Sequence, residues 1–232
     1  MRPVHITFTG FDAATKPGEL VGLSRDFPIE WGILLHPTRQ GSARYPALAH
    51  VQSVLELDLR FSAHLCGGYA RDVVRGGSLP SAIVALLDRF RRIQINTAER
   101  GVQSQVIARF AERFGARAIL QCRGFEHFPS DTHVDWLFDR SGGKGLLAPR
   151  WPVPGPKAQF VGYSGGLGPD TVATALAAIT LQHPEHIPYW IDMEGAVRTN
   201  DVFDVGKCRC VCDIVYATSS PQAAGHSEQS ID

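Results

Sequence analysis

Residues 160–172 read Phe-Val-Gly-Tyr-Ser-Gly-Gly-Leu-Gly-Pro-Asp-Thr-Val, a β-rich run that ends in two glycines and passes into a helical pattern. Phe160, Val161 and Tyr163 suit a pleated strand. Gly168-Pro169 predicts the opening of a helix, because proline in a first helical turn sacrifices no hydrogen bond. Val172, Ala175, Leu176 and Ile179 then recur at helical spacing. Two glycines between strand and helix let backbone N–H groups approach an anion closely. Ser164, Gly165 and Gly166 are therefore either a candidate anion cradle or a plain tight turn.

The same alternation runs outward from this unit in both directions. Strand-like stretches occupy residues 5–9, 29–35, 59–65, 92–96, 116–122, 133–139, 159–164 and 189–192. Helical patterns lie between them, such as Ile83, Leu87, Phe90 and Val102, Val106, Phe110, Phe114. Repeated strand–helix alternation argues for parallel strands with helical crossovers. Eight such units predict a single-domain (β/α)₈ TIM barrel, class α/β, over residues 1–216. An open doubly wound sheet is the second choice, but no Gly-x-Gly-x-x-Gly follows the first strand. The tail, residues 217–232, is polar and rich in small residues, which predicts disorder.

Within the strands, Thr7, Thr9, His64, Cys66, Gln94, Asn96, Gln121, Arg123, Asp139 and Asp192 share one parity near the C-terminal ends. Their neighbours Ile6, Phe8, Leu65, Ile93, Ile95, Leu120, Phe138 and Ile191 are apolar and suit the helix-facing side. Polar groups gathered at one end of a barrel are costly to bury without partners, and the C-terminal end is where sites of this fold lie.

Composition narrows the function classes. The 232 residues are 44% hydrophobic and 20% charged with zero formal net charge, which gives no electrostatic attraction to nucleic acid or to a membrane surface. No apolar run approaches the ~18 residues of a membrane span, and the first residues lack the apolar core of a signal peptide. Five cysteines, an odd number, do not suggest a disulfide framework, so the chain reads as cytoplasmic with reduced thiols. Cys208, Cys210 and Cys212 fall on the last helical pattern, where Cys208 and Cys212 share a face with Val211 and Val215. They read as core thiols rather than zinc ligands, and neither metal nor cofactor is expected. His183 and His186 read as solvated surface.

With these pieces in place, the chain resembles the phosphoribosylanthranilate isomerase family as a divergent member. Residues 164–172, SGGLGPDTV, resemble the family's phosphate loop after strand seven. Residues 42–45, SARY, resemble its Ser-x-Arg-Tyr loop after strand two. Asp139 ends strand six where the family has its general acid, and residues 190–201, WIDMEGAVRTND, resemble the Asp-x-Ser-Ser-Gly-Val-Glu segment that ends the barrel. The resemblance implies an aldose–ketose (Amadori) isomerisation belonging to tryptophan biosynthesis. An acid opens a sugar ring, and a base moves a proton from C2. It further implies that Arg44 holds a substrate carboxylate and that Ser164, Gly165, Gly166 and Gly195 hold phosphate.

Two positions depart from the family. Thr9 stands where the family has its basic cysteine, and a hydroxyl is a far weaker base than a thiol. Glu194-Gly195-Ala196 replaces Ser-Ser-Gly in the last loop, setting a carboxylate beside the expected phosphate. Cys66, two residues from His64 on strand three, and Glu194, on the strand next to strand one, are candidate replacement bases, with Asp12 third. Lys144, in the glycine-rich part of the long loop after strand six, is a candidate anion contact on a closing lid. The sequence thus predicts an isomerase-like enzyme acting on a small anionic substrate of the phosphorylated-sugar kind. Its catalytic candidates are Asp139, Cys66 and Glu194, and its binding candidates also include Thr9 and His64. A lyase or epimerase on the same scaffold, or a non-catalytic metabolite-binding protein, are the alternatives.

Overall fold

The computed structural model describes residues 1–124, 126–140 and 146–217. Lys144 and the tail beyond Ala217 lie outside them. Eight strands, β1 (Ile6–Thr9), β2 (Ile29–Leu35), β3 (Phe61–Cys66), β4 (Arg92–Asn96), β5 (Arg117–Cys122), β6 (Asp135–Phe138), β7 (Val161–Ser164) and β8 (Tyr189–Met193), pair in parallel, each with the next. β8 returns to β1, with Ile6 opposite Ile191 on one side and Ile29 on the other, and closes a barrel. This is the (β/α)₈ plan. All eight expected strands are present, three of them beginning two residues later than hydropathy suggests.

Parity sorts the side chains as expected. Ile6, Phe8, Leu65, Ile93, Ile95, Leu120, Phe138 and Ile191 join the main apolar core. Ile119, Leu137 and Trp190 form a separate apolar cluster with Phe160. The core is completed by α1 (Pro17–Asp26), α2 (Leu48–Leu55), α3 (Gly68–Val74), α4 (Ser81–Leu87), α5 (Ser104–Glu112), α6 (Val172–Thr180) and α7 (Val205–Tyr216). Cys208 and Cys212 are buried on α7 with Val211 and Val215, and Cys210 is exposed. No helix among the described residues is long and apolar enough to cross a membrane.

Three local features depart from eight regular strand–helix units. Among the described residues no helix lies between β5 and β6 or between β6 and β7. Pro149, Pro152, Pro154 and Pro156 deny the second crossover the N–H groups and the geometry a helix requires. The two connections bridge each other instead at His127 and Val153, and they supply Phe128 and Trp151, which pack edge-on to Tyr163 at 5.3 and 5.8 Å. His183, expected at the surface, is buried. Its Nδ1 lies 2.9 Å from the Tyr163 hydroxyl and its Nε2 2.7 Å from the Ile187 carbonyl oxygen, because this aromatic patch needs polar partners once it is covered. Finally, α6 starts at Val172 rather than at Pro169. The Thr171 hydroxyl donates to the Gly166 carbonyl and accepts from the Gly168 N–H at 3.0 Å, holding residues 168–171 as a turn.

An ion pair lies within the closed sheet. Glu30 on β2 is fully buried and receives Arg92 of β4 through Nε (3.0 and 3.1 Å) and Nη2 (2.6 Å), with Thr7 donating at 3.2 Å and Arg60 Nε 3.2 Å away. Arg92 also lies 4.2 Å over the Trp190 ring. Burial alone would raise the Glu30 carboxyl, but Arg92, His5 and Arg60 hold it down to about 2, against an ordinary 4.5. The stability tied to its ionisation is complete above pH 4.5 and disappears as the pH falls toward 2. Glu30→Gln is accordingly expected to lose about 3–5 kcal/mol at neutral pH, since it leaves Arg92 buried without its counter-charge. Chemical denaturation of both proteins across that pH range should show the gap narrowing below pH 4.5. A constant gap would refute the assignment.

Candidate functional site

The C-terminal ends of the strands open into a cavity of about 970 Å³. Thr9, His64, Cys66, Asp139, Ser164 and Asp192 line it together with Arg44, Glu194 and Gly195 from the loops. Apart from Lys144 and Asp12, the sequence-derived candidates therefore converge on one mouth. Glycine makes the convergence possible. A Cβ on Gly32 of β2 would collide with the Thr9 hydroxyl and approach His64 Nε2 at 2.9 Å, so the bare backbone there leaves room for both side chains.

The β3–β4 wall is a chain of hydrogen bonds. The neutral His64 ring lies 3.1 Å from Ser62 Oγ and 3.3 Å from Gln94 Nε2, Gln94 Nε2 donates to Asn96 Oδ1 at 2.8 Å, and Asn96 Nδ2 donates to Cys66 Sγ at 3.3 Å. Burial pulls His64 down to about 4 and pushes the Cys66 thiol up to about 12. His64 spends its nitrogens on Ser62 and Gln94, and the Cys66 thiol points its proton at the His64 carbonyl, 3.5 Å away. An activated thiolate requires the opposite environment. The geometry weighs against Cys66 as the base and leaves both residues as wall groups.

On the β8 side the arrangement is different. Thr9 Oγ1 donates to Asp192 Oδ1 at 3.0 Å. Burial drives the Asp192 carboxyl up to about 8, helped by the negative charges of Glu30 and Glu194 and opposed by the Thr9 hydrogen bond and by Arg92. Asp192 was not among the residues singled out from sequence as catalytic. Its parity and its place on the strand that closes against β1 were the available signals, but its desolvation depends on packing. Asp12, the third candidate base, is structural: it accepts from Arg198 Nη2 and from the Phe203 N–H, both at 3.0 Å.

Around the rim, Asp139 accepts from Gln121 Nε2 at 3.2 Å. The Ser164 hydroxyl donates to the Phe138 carbonyl at 3.1 Å. Gly165 and Gly166 adopt φ of 98° and 69°, a left-handed pair that a side chain would strain. A Cβ on Gly166 would also strike the backbone of Leu147, so the loop after β6 packs directly on the turn after β7. Arg44, expected to meet a substrate carboxylate, is already engaged by Glu194 at 3.1 Å and Asp201 at 2.7 Å.

Phosphoribosylanthranilate isomerase from Thermus thermophilus superposes with a TM-score of 0.61 at 18% identity, over 92% of this chain and 98% of that one. TrpF from Jonesia denitrificans gives 0.62 at 14% identity over 94% and 99%, and N-(5'-phosphoribosyl)anthranilate isomerase from Pyrococcus furiosus gives 0.57 at 12% over 91% and 98%. The fold is that of the phosphoribosylanthranilate isomerases. The barrel matches theirs across nearly its whole length, although no family model and no curated protein matches the sequence.

The buried carboxyl makes a definite prediction. Asp192 at about 8, against an ordinary 3.8, means that the fold holds it protonated at neutral pH. The associated stability is complete below pH 3.8 and is lost as the pH rises toward 8. An infrared carbonyl band of a protonated carboxyl should therefore persist at pH 7, vanish above pH 9 and be missing from Asp192→Asn. That variant should also lose the decline in melting temperature between pH 3.8 and 8. A wild-type protein with no such band at pH 7 would show Asp192 to be ionised.

Proposed function

We propose that the chain is an isomerase of the aldose–ketose type acting on a small phosphorylated sugar, with Asp139 as general acid and Asp192 as general base. The observation that carries this reading is the Thr9–Asp192 contact. Thr9 occupies the position of the family's basic cysteine, and its hydroxyl hands a hydrogen bond to a carboxyl that lines the same cavity as Asp139. A group titrating at about 8 matches proton abstraction near neutral pH, which neither a threonine hydroxyl nor a thiol at about 12 does. Glu194, the other candidate base, is committed to Arg44.

In this scheme Asp139 delivers a proton to the ring oxygen and the ring opens. Ionised Asp192 takes the proton from C2, giving an enol-type intermediate; it then returns that proton to C1 while the C2 hydroxyl gives its own to Asp139, which leaves the carbonyl at C2 and restores both carboxyl groups to their starting states. The phosphate lies at residues 164–166, where left-handed glycines present backbone rather than side chains. Similarity of fold to isomerases supports the class of reaction; the assignment of roles rests on the residues of this chain.

Turnover can be tested by following ketose formation by NMR over a panel of aldose and ribosylamine 5-phosphates. Loss of a general acid typically costs roughly 10²–10⁴ in rate, so Asp139→Asn should fall by that much with its melting temperature unchanged. A variant keeping more than about a tenth of wild-type turnover would make Asp139 structural. Wild-type kcat/KM should rise to a plateau with an apparent pKa near the 8 of Asp192, a limb absent from Asp192→Asn. Because Thr9 replaces the cysteine, the gene is expected not to rescue a tryptophan auxotroph lacking the isomerase. Rescue at a normal level would mean that the parent reaction persists.

A further inference from the structure

Arg44 sits at the rim in a conformation that the fold has to impose. Its φ is 68°, in the left-handed region that a residue carrying a Cβ enters at a cost. The turn around it is fixed by the Tyr45 N–H donating to the Ser42 carbonyl at 3.0 Å and the Gly41 N–H donating to the Tyr45 carbonyl at 2.7 Å. From there its guanidinium crosses to the β8 side, where all three nitrogens meet carboxylate oxygens. Nε and Nη2 donate to Asp201 Oδ1 at 2.9 and 2.7 Å, and Nη1 donates to Glu194 Oε1 at 3.1 Å. Gly10 lies beneath, its φ of 82° in the left-handed region that favours glycine, within contact distance of Glu194 and Arg44.

The acids are held as firmly as the arginine. After β8 the chain makes a 3₁₀ turn (Gly195–Val197) and a two-stranded hairpin, β9 (Arg198–Thr199) and β10 (Val202–Phe203). Asn200 and Asp201 form its tip with φ of 51° and 59°, the left-handed pair of a tight hairpin turn. Arg198 is buried beneath it and bonds to the Gly10 carbonyl, Asp12 and both the carboxylate and the carbonyl of Asp201. Within this ion-paired group two guanidiniums face three carboxylates. Arg44 and Glu194 are each about one third exposed and line the cavity, so the contact stands where an incoming ligand meets the protein.

A free arginine in that place would serve as a receptor for a carboxylate, with its planar fork matched to two oxygens. Here Asp201 occupies one edge of the fork and Glu194 the next. A carboxylate entering from the cavity would have to displace an internal partner and then lie beside the displaced charge. We propose that Glu194 and Asp201 determine specificity by holding Arg44, so that the substrate presents to the β1, β2 and β8 loops an uncharged, hydrogen-bond-donating group and no carboxylate. Exclusion comes from charge repulsion built into the rim, and selection from the carboxylate oxygens left to accept from hydroxyl or amine donors. This rests on the phosphorylated-sugar reading for the rest of the ligand. The three compared proteins include two that are named for an anthranilate-bearing substrate, which carries a carboxylate; this chain is expected to take a different one.

The test uses two stable probes that differ by one group, 1-anilino-1-deoxyribitol 5-phosphate and its 2-carboxyphenyl counterpart, titrated calorimetrically. The wild type should bind the carboxyl-free probe at least about tenfold tighter, and Glu194→Gln/Asp201→Asn should shift the ratio toward the carboxylated probe by about tenfold or more. Equal or tighter wild-type binding of the carboxylated probe would overturn the proposal, as would an unchanged ratio in the double variant. If the double variant does not fold, Glu194→Gln alone should give a smaller shift in the same direction, and no shift would count against the proposal. Benzoate, followed through the Arg44 Nε–H signal by NMR, removes the dependence on phosphate. The signal should stay fixed in the wild type and move in the variant, and movement in the wild type refutes the idea. If neither phosphorylated probe binds while benzoate behaves as expected, the sugar-phosphate reading fails and the specificity device stands.

Discussion

The Glu30–Arg92 pair is the interaction on which much of the barrel depends. A closed eight-stranded sheet leaves a narrow interior, and β2 and β4 place a carboxylate and a guanidinium inside it with their hydrogen-bonding edges matched. Such a pair is a weak source of net stability, because both ions are taken out of water, but it is severe on any packing that leaves one of them alone. Thr7, His5 and Arg60 bind to the same group, and the Trp190 ring lies against Arg92. The strands carrying these residues are thereby held in one register relative to one another.

That choice has consequences at the mouth. The Glu30 charge helps to raise Asp192, while Arg92 works against it, so the titration of a cavity-lining group is linked to an ion pair among the buried strands. Burial remains the larger cause. Asp192 is enclosed by the Thr9 side chain and the closing strands, and a carboxylate there would lack the water that normally solvates it. A carboxyl that is costly to ionise is also one whose proton is available for exchange near neutral pH, which is why its position beside Thr9 matters chemically.

The rim follows a second electrostatic scheme. Arg44, Arg198, Asp12, Glu194 and Asp201 tie the loops after β1, β2 and β8 to one another. The result is a mouth with one side stiffened by ion pairs and the opposite side built from the uncharged wall of His64, Gln94, Asn96 and Cys66. Between them, the glycine turn after β7 is pressed by the loop after β6.

Residue pattern alone dictated the eight strands, their order and which parity faces inward, because strand geometry alternates side chains every residue and parallel burial demands apolar residues on the outer face. It also determined that Thr9, His64, Cys66, Asp139 and Asp192 would share one end, and that Cys208 and Cys212 would lie in the core. What it did not determine are properties of contact between distant segments. Arg44 meets Glu194 and Asp201 across 150 and 157 residues, and Thr9 meets Asp192 across 183. No local pattern encodes those distances, so neither the pairing of Arg44 nor the protonation of Asp192 could be read from residue types. That the described residues between β6 and β7 form no helix was legible in the prolines at 149, 152, 154 and 156, but that aromatic side chains would cover the barrel there was decided by tertiary packing. Residue spacing fixes which face a side chain occupies; only the closed barrel fixes what stands opposite it, and charge and solvation depend on the latter.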